Sequence, residues 1–173
     1  MSFPSHYHSL SDILVEEKTT ANQKIQRLFA SGKREVLFPN NIRRTCWPDG
    51  YSVVYFANND IKQTYPEQEK VVYFFAKVGT THTTFTNGVQ VFRFESGQVE
   101  KHFLDGSKEI RFPDGTVKCL YTSGEEESLF PDGTVQRVQK SGLQLIKYPN
   151  GQKVSVDICV TSYVCRIISS QMA

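Results

Sequence analysis

Phe112-Pro113-Asp114-Gly115 and Phe130-Pro131-Asp132-Gly133 are two copies of one turn, eighteen residues apart, and Trp47-Pro48-Asp49-Gly50 is a third. Proline presets φ for the first corner of a type I turn, aspartate suits the second, and glycine takes the left-handed position that follows. A type I turn closed by a left-handed residue makes a three-residue hairpin with a glycine bulge. Phe112 is therefore expected to pair with Thr116 across Pro113-Asp114-Gly115. Weaker copies are Phe103-Leu104-Asp105-Gly106, Tyr148-Pro149-Asn150-Gly151 and Phe38-Pro39-Asn40-Asn41. From these turns a grid extends through the chain. Glycine recurs every nine residues from Gly79 to Gly151, and Gly32 and Gly50 stand eighteen apart. Asn41 and Asn59 fill vacant grid points, and asparagine is the residue that best replaces glycine at positive φ. Only the stretch from Asn59 to Gly79 breaks step, with twenty residues in place of eighteen.

Three residues before most grid points stands an aromatic: Phe29, Phe38, Trp47, Phe56, Tyr65, Phe85, Phe94, Phe103, Phe112, Tyr121, Phe130 and Tyr148. Each repeat then holds one strand of about six residues and one tight turn. Period-nine β-solenoids lack a Pro-Asp-Gly hairpin turn in every coil, so an antiparallel meander is expected. Segments such as Thr116-Val-Lys-Cys-Leu-Tyr121 mix strand formers with charges on both faces. No helical periodicity in 29–151 could cover a face. The predicted fold is all-β: a single long free-standing antiparallel sheet of about fourteen strands, solvent-exposed on both faces and held by ladders and cross-strand pairs.

Hydrophobic residues are 39% of the chain, which fits a sheet without a deep core, and the net charge of +2 makes no electrostatic case for nucleic acid. No signal peptide and no apolar stretch of membrane-spanning length is expected. The cysteines form no CxxC pair and read as reduced thiols of a cytoplasmic protein. Residues 1–28 read as a mobile leader, with a short helix from Asp12 through Gln26. Residues 29–151 form the repeat domain. Residues 152–173 are an atypical apolar tail, able to add one or two strands and prone to association if left on an edge. No nucleophile motif, phosphate loop or paired carboxylate constellation appears, so the reading is a binding module, not an enzyme, without cofactor or metal. A structural module with edge-to-edge self-association and a weak single-stranded nucleic-acid binder are the alternatives.

The repeat resembles the G-box repeats of the T-complex protein 10 C-terminal domain over about 29–151. The resemblance extends to stretches outside the turns: Val71-Val72-Tyr73-Phe74-Phe75, Thr80-Thr81-His82-Thr83-Thr84-Phe85, Ser96-Gly97-Gln98-Val99-Glu100-Lys101-His102 and Gly124-Glu125-Glu126-Glu127-Ser128. It implies a free-standing antiparallel sheet that binds a proline-rich segment of a STIL-type centriole scaffold protein, with a role in centriole assembly and a place at the centrosome. The family's binding positions fall on Phe56, Tyr73, Phe94 and Glu100.

Strand register supports a shared face for these residues. Phe56 shares a side with positions 60, 62 and 64. If the two extra residues between 59 and 79 go one each into the loops Pro66–Glu69 and Ala76–Gly79, Tyr65 pairs with Lys70. Tyr73 and Phe75 then return to the Phe56 side, and His82, Phe92, Phe94, Glu100 and His102 follow. The candidate partner-binding residues are Phe56, Tyr73, Phe75, Phe92, Phe94 and Glu100. A polyproline helix suits such a face, because it is already ordered and its rings stack on aromatics. For a typical aromatic of the repeat, the plainer role is cross-strand stacking.

Overall fold

The computed structural model describes residues 12–157 and 166–170. The chain forms two compact units, Met1–Lys77 and Val78–Ala173, each taken by itself below. The first contains β1 (Leu14–Thr19), β2 (Ile25–Phe29), β3 (Arg34–Leu37), β4 (Arg43–Cys46), β5 (Ser52–Tyr55), β6 (Ile61–Tyr65) and β7 (Lys70–Phe75). The second contains β8 (Thr80–Phe85), β9 (Gln90–Arg93), β10 (Val99–His102), β11 (Lys108–Arg111), β12 (Val117–Leu120), β13 (Glu126–Leu129), β14 (Val135–Val138), β15 (Gln144–Lys147), β16 (Lys153–Asp157) and β17 (Arg166–Ser170). Within each unit consecutive strands pair antiparallel, so each is an open meander.

The turns behave as their chemistry requires. Phe112 N–H donates to Thr116 O at 2.9 Å, and Gly115 N–H donates back to Phe112 O at 3.0 Å. Gly115 sits at φ 91°, a conformation that costs a side-chain-bearing residue energy. The aspartate does more than suit its corner. Asp114 Oδ1 accepts the Thr116 N–H at 2.8 Å, and Asp132 accepts both the N–H and the hydroxyl of Thr134, at 2.8 and 2.9 Å. These bonds, the backbone one first, hold the Asp132 carboxyl below its ordinary range. The eighteen-residue spacing of Pro113, Pro131 and Pro149 also has a tertiary reason. A Cβ on Gly115 would stand 3.5 Å from Pro131 Cγ, and one on Gly133 3.4 Å from Pro149 Cγ. Alternate turns on one side of the sheet therefore stack proline against glycine.

Among the described residues only Val53 and Val91 are buried hydrophobic side chains, at 3% and 8% exposure. Among the described residues neither unit has a second layer to bury more. Backbone ladders at a net ~0.5–1.5 kcal/mol per hydrogen bond, with cross-strand contacts, must carry stability instead.

The leader departs from expectation. Residues 12–28 hold no helix: they supply β1 and most of β2, and the strand count rises above fourteen accordingly. The physical reason is that the repeat continues one step further back. Gln23 lies nine residues before Gly32 and takes φ 61°, and Thr20 N–H donates to Lys24 O at 2.9 Å in the bond that Phe112 makes to Thr116. A glutamine at positive φ is uncommon, so this turn carries no glycine or asparagine to announce it. Ile13, Leu14, Val15, Thr19 and Thr20 favour strand over helix once the turn exists. The leader's first eleven residues lie outside the described ones. In the tail β16 and β17 pair antiparallel, while 158–165 and 171–173 lie outside the described residues.

Candidate functional site

In the first unit the register puts Phe56, Asp60, Lys62, Tyr73 and Phe75 on one side of the sheet. Lys62 pairs with both Val54 and Tyr73, and Phe56 pairs with Asp60 through a 3.0 Å backbone bond. Tyr65 pairs with Lys70 across the Pro66–Glu69 loop, in which Glu69 takes φ 47°. The rings meet. Phe56 and Tyr73 have centroids 5.7 Å apart, and Tyr73 and Phe75 4.5 Å apart. Phe75 is 38% exposed, so the cluster presents aromatic surface to solvent.

Beneath it lies a residue that sequence reasoning missed. Asp60, only 7% exposed, accepts the Ala76 N–H at 2.8 Å, the Tyr73 hydroxyl at 2.9 Å and the Asn58 side-chain N–H at 2.9 Å. The Ala76 bond first, then those from Tyr73 and Asn58, hold the Asp60 carboxyl below its ordinary range against the cost of burial. Burial, then the bond to Asp60, pushes the Tyr73 phenol up. The signal was a carboxylate one residue after a grid point, where Thr116 and Thr134 stand in other repeats. Nothing local to Asp60 shows that it reaches Tyr73 and Ala76.

In the second unit His82 pairs with Phe92 and Phe92 with Glu100, so all three lie in one cross-strand row. His82 stacks on Phe92 at 4.2 Å and 8°, and Phe92 lies 6.4 Å from Phe94 and 4.9 Å from His102. Glu100 is already engaged: it accepts Gln98 Nε2 at 2.8 Å and meets His102 Nε2 at 2.9 Å. It orients His102 against the Phe92 ring and keeps lone pairs for a further donor. His82 Nε2 lies 2.9 Å from Gln90 Oε1, which fixes that ring in turn. Phe85 and Phe103 fall on the opposite side of the same strands, since they alternate with His82 and His102.

The first unit's other side carries Trp47, Tyr51 and Tyr65, with centroids 5.0 and 4.9 Å apart. Burial first, then the hydrogen bond to Tyr51, pushes the Tyr65 phenol up to about 12. This row has the cross-strand stacking character expected of structural aromatics. The structure thus gathers Phe56, Tyr73 and Phe75 in one unit, and Phe92, Phe94 and Glu100 in the other.

Comparison with known proteins places this architecture. Residues 86–119 and 122–154 match the family model for the T-complex protein 10 C-terminus. The TCP10 domain of zebrafish CPAP, solved in complex with a peptide of zebrafish STIL, is 42% identical with a TM-score of 0.67, covering 76% of this chain and 73% of that one. The chain belongs to the T-complex protein 10 C-terminal family. A second solved member, the TCP domain of Drosophila melanogaster SAS-4 bound to a proline-rich motif of Ana2, is 29% identical with a TM-score of 0.74, over 84% of this chain and 97% of that one. Mouse centrosomal P4.1-associated protein is 52% identical over 73 residues, and the chain spans 5% of its length. In this member of the T-complex protein 10 C-terminal family, the family match includes Phe92, Phe94 and Glu100. Phe56 and Tyr73 lie before it.

Proposed function

We propose that this chain is a protein-interaction module that takes a proline-rich segment of a STIL-type centriole scaffold on an aromatic face of its sheet, and acts at the centrosome in centriole assembly. The observation that carries this reading is the likeness to a domain solved with a proline-rich motif in place, matched over 97% of its length. The chemistry of the clusters supports it. Aromatic rings on an open sheet offer apolar surface to proline rings, and the ligand loses little entropy because a polyproline helix is already extended. Phe56, Tyr73 and Phe75 supply one platform, and Phe92 and Phe94 the other. Glu100 offers an acceptor beside the second. A titration with a proline-rich peptide is expected to saturate in the micromolar range, roughly −8 kcal/mol, with modest salt dependence. A single-stranded oligonucleotide bound as tightly, with a steep salt slope, would replace this reading with nucleic-acid binding.

A second reading rests on β1, where Ile13, Leu14 and Val15 are exposed by 68%, 47% and 62%. Such a strand is a template for self-association. Light scattering over a concentration series tests it: growth in mass that Val15→Lys abolishes supports self-association, and a constant monomer mass removes it.

A further inference from the structure

The side of β8–β11 that faces away from Phe92, Phe94 and Glu100 carries a groove of about 540 Å3. Its floor is the buried Val91 with Val99 beside it. Around that floor stand Arg93, Lys101 and Arg111, against a single carboxylate, Glu109. Val99 pairs with Arg93 on one side and Arg111 on the other, while Val91 pairs with Lys101, so the cations ring the valines on three neighbouring strands. Arg111 Nε engages Glu109 at 2.9 Å. Arg93 and Lys101 enter no ion pair among the described residues, although Lys101 stands opposite Glu109 in the ladder and its Nζ lies 6.0 Å over the Phe103 ring.

We propose that this groove binds an extended acidic peptide segment of a partner protein, with carboxylates on alternate residues and an aliphatic residue two positions further on. Charge and spacing carry the argument. Arg93 and Lys101 are diagonal neighbours on paired strands, about 7–8 Å apart. An extended segment presents every second side chain on one face at roughly 6.6–6.8 Å, a matching interval. Two carboxylates at that interval neutralise Arg93 and Lys101, the first by the bidentate geometry that guanidinium favours. The aliphatic residue then rests on the half-buried Val99 beside Val91. Of the chain's own acidic residues, Glu16, Glu17, Glu126 and Glu127 are already paired with Lys18, Arg27, Lys118 and Arg137. A nucleic acid fits less well, because the groove is lined by Phe85 alone among rings, with Phe103 beside it under Lys101, and stacking platforms use runs of successive aromatics.

The test is fluorescence anisotropy of the full chain with a labelled peptide, Gly-Glu-Ser-Glu-Ser-Leu-Gly. Saturable binding is expected, weakening severalfold as salt rises from about 50 to 200 mM. The double variant Arg93→Gln/Lys101→Gln should weaken it at least about tenfold, while Phe94→Ala on the other side leaves it unchanged. A control peptide with adjacent glutamates, Gly-Glu-Glu-Ser-Ser-Leu-Gly, should bind several times more weakly. Circular dichroism checks the fold of the double variant. If it is unfolded, Lys101→Gln alone must weaken binding for the proposal to stand. Undiminished binding by a folded double variant overturns the proposal, as does equal affinity for the two peptides. Tighter binding of oligothymidylate than of the acidic peptide, lost in the same variant, overturns it in favour of nucleic acid.

Discussion

Phe56→Ala and Phe94→Ala should each weaken binding of a proline-rich peptide by about 1–3 kcal/mol, or roughly 5- to 150-fold, the range for stacked aromatic anchors. Their rings stand on open sheet, with the nearest buried hydrophobic side chains being Val53 and Val91 on the other side. The thermal midpoint should therefore fall by no more than about 3 °C. Phe85→Ala and Phe103→Ala occupy the same phase of the repeat but the opposite side, and should leave affinity intact. Glu100→Val removes the acceptor of Gln98 and His102 and should weaken binding while valine suits the strand. Isothermal titration calorimetry beside thermal melts reads both quantities. If all four phenylalanine changes lower the melting point alike and leave affinity untouched, the rings are structural cross-strand pairs and the binding reading fails. Tyr73→Ala is the less clean variant, because it also strips Asp60 of a donor.

Asp60→Ala should weaken the same peptide by about tenfold and lower the melting point as well, since it takes away the acceptor that joins Tyr73 to Ala76. Asp60→Asn keeps one of the two acceptor oxygens and should fall between. Tyr73→Phe keeps the ring but loses its tether. Combined with Asp60→Ala it should cost less than the sum of the two single changes, because both remove the Tyr73–Asp60 bond. A pH dependence follows. The folded-state carboxyl of Asp60 is held below its usual 3.8. Its stabilisation is therefore complete above the unfolded value and is lost as pH falls below that value through the folded one. Acid melts of the wild type and Asp60→Asn should converge in that window. A variant that melts lower but binds peptide as well as wild type would confine Asp60 to holding the turn, with no part in placing Tyr73.

Much of this was legible from Gly115, Asp114 and their nine-residue echoes, because turn chemistry is local. A left-handed position needs glycine or asparagine, and a turn of fixed length sets the pairing of the strands that leave it. The Tyr65–Lys70 pair across the longer Pro66–Glu69 loop could be placed the same way, and with it the side taken by Tyr73 and Phe75. The leader was misread for the converse reason. At Gln23 the geometry persists without the residue that normally reports it.

The repeat, the antiparallel order and the side taken by each aromatic can be read from turn length and the two-residue period of a strand, once the two loops after Tyr65 and Phe75 are given one extra residue each. What those side chains meet is set by the folded sheet. Asp60 reaches Ala76 and Tyr73 across strands β6 and β7, Glu100 spends bonds on Gln98 and His102, and Pro131 stacks on Gly115 one full up-and-down step away. It also sets Arg93 and Lys101 beside a valine floor without an ion pair among the described residues. Cross-strand contacts depend on rotamers and on neighbours many residues distant, which no local pattern encodes.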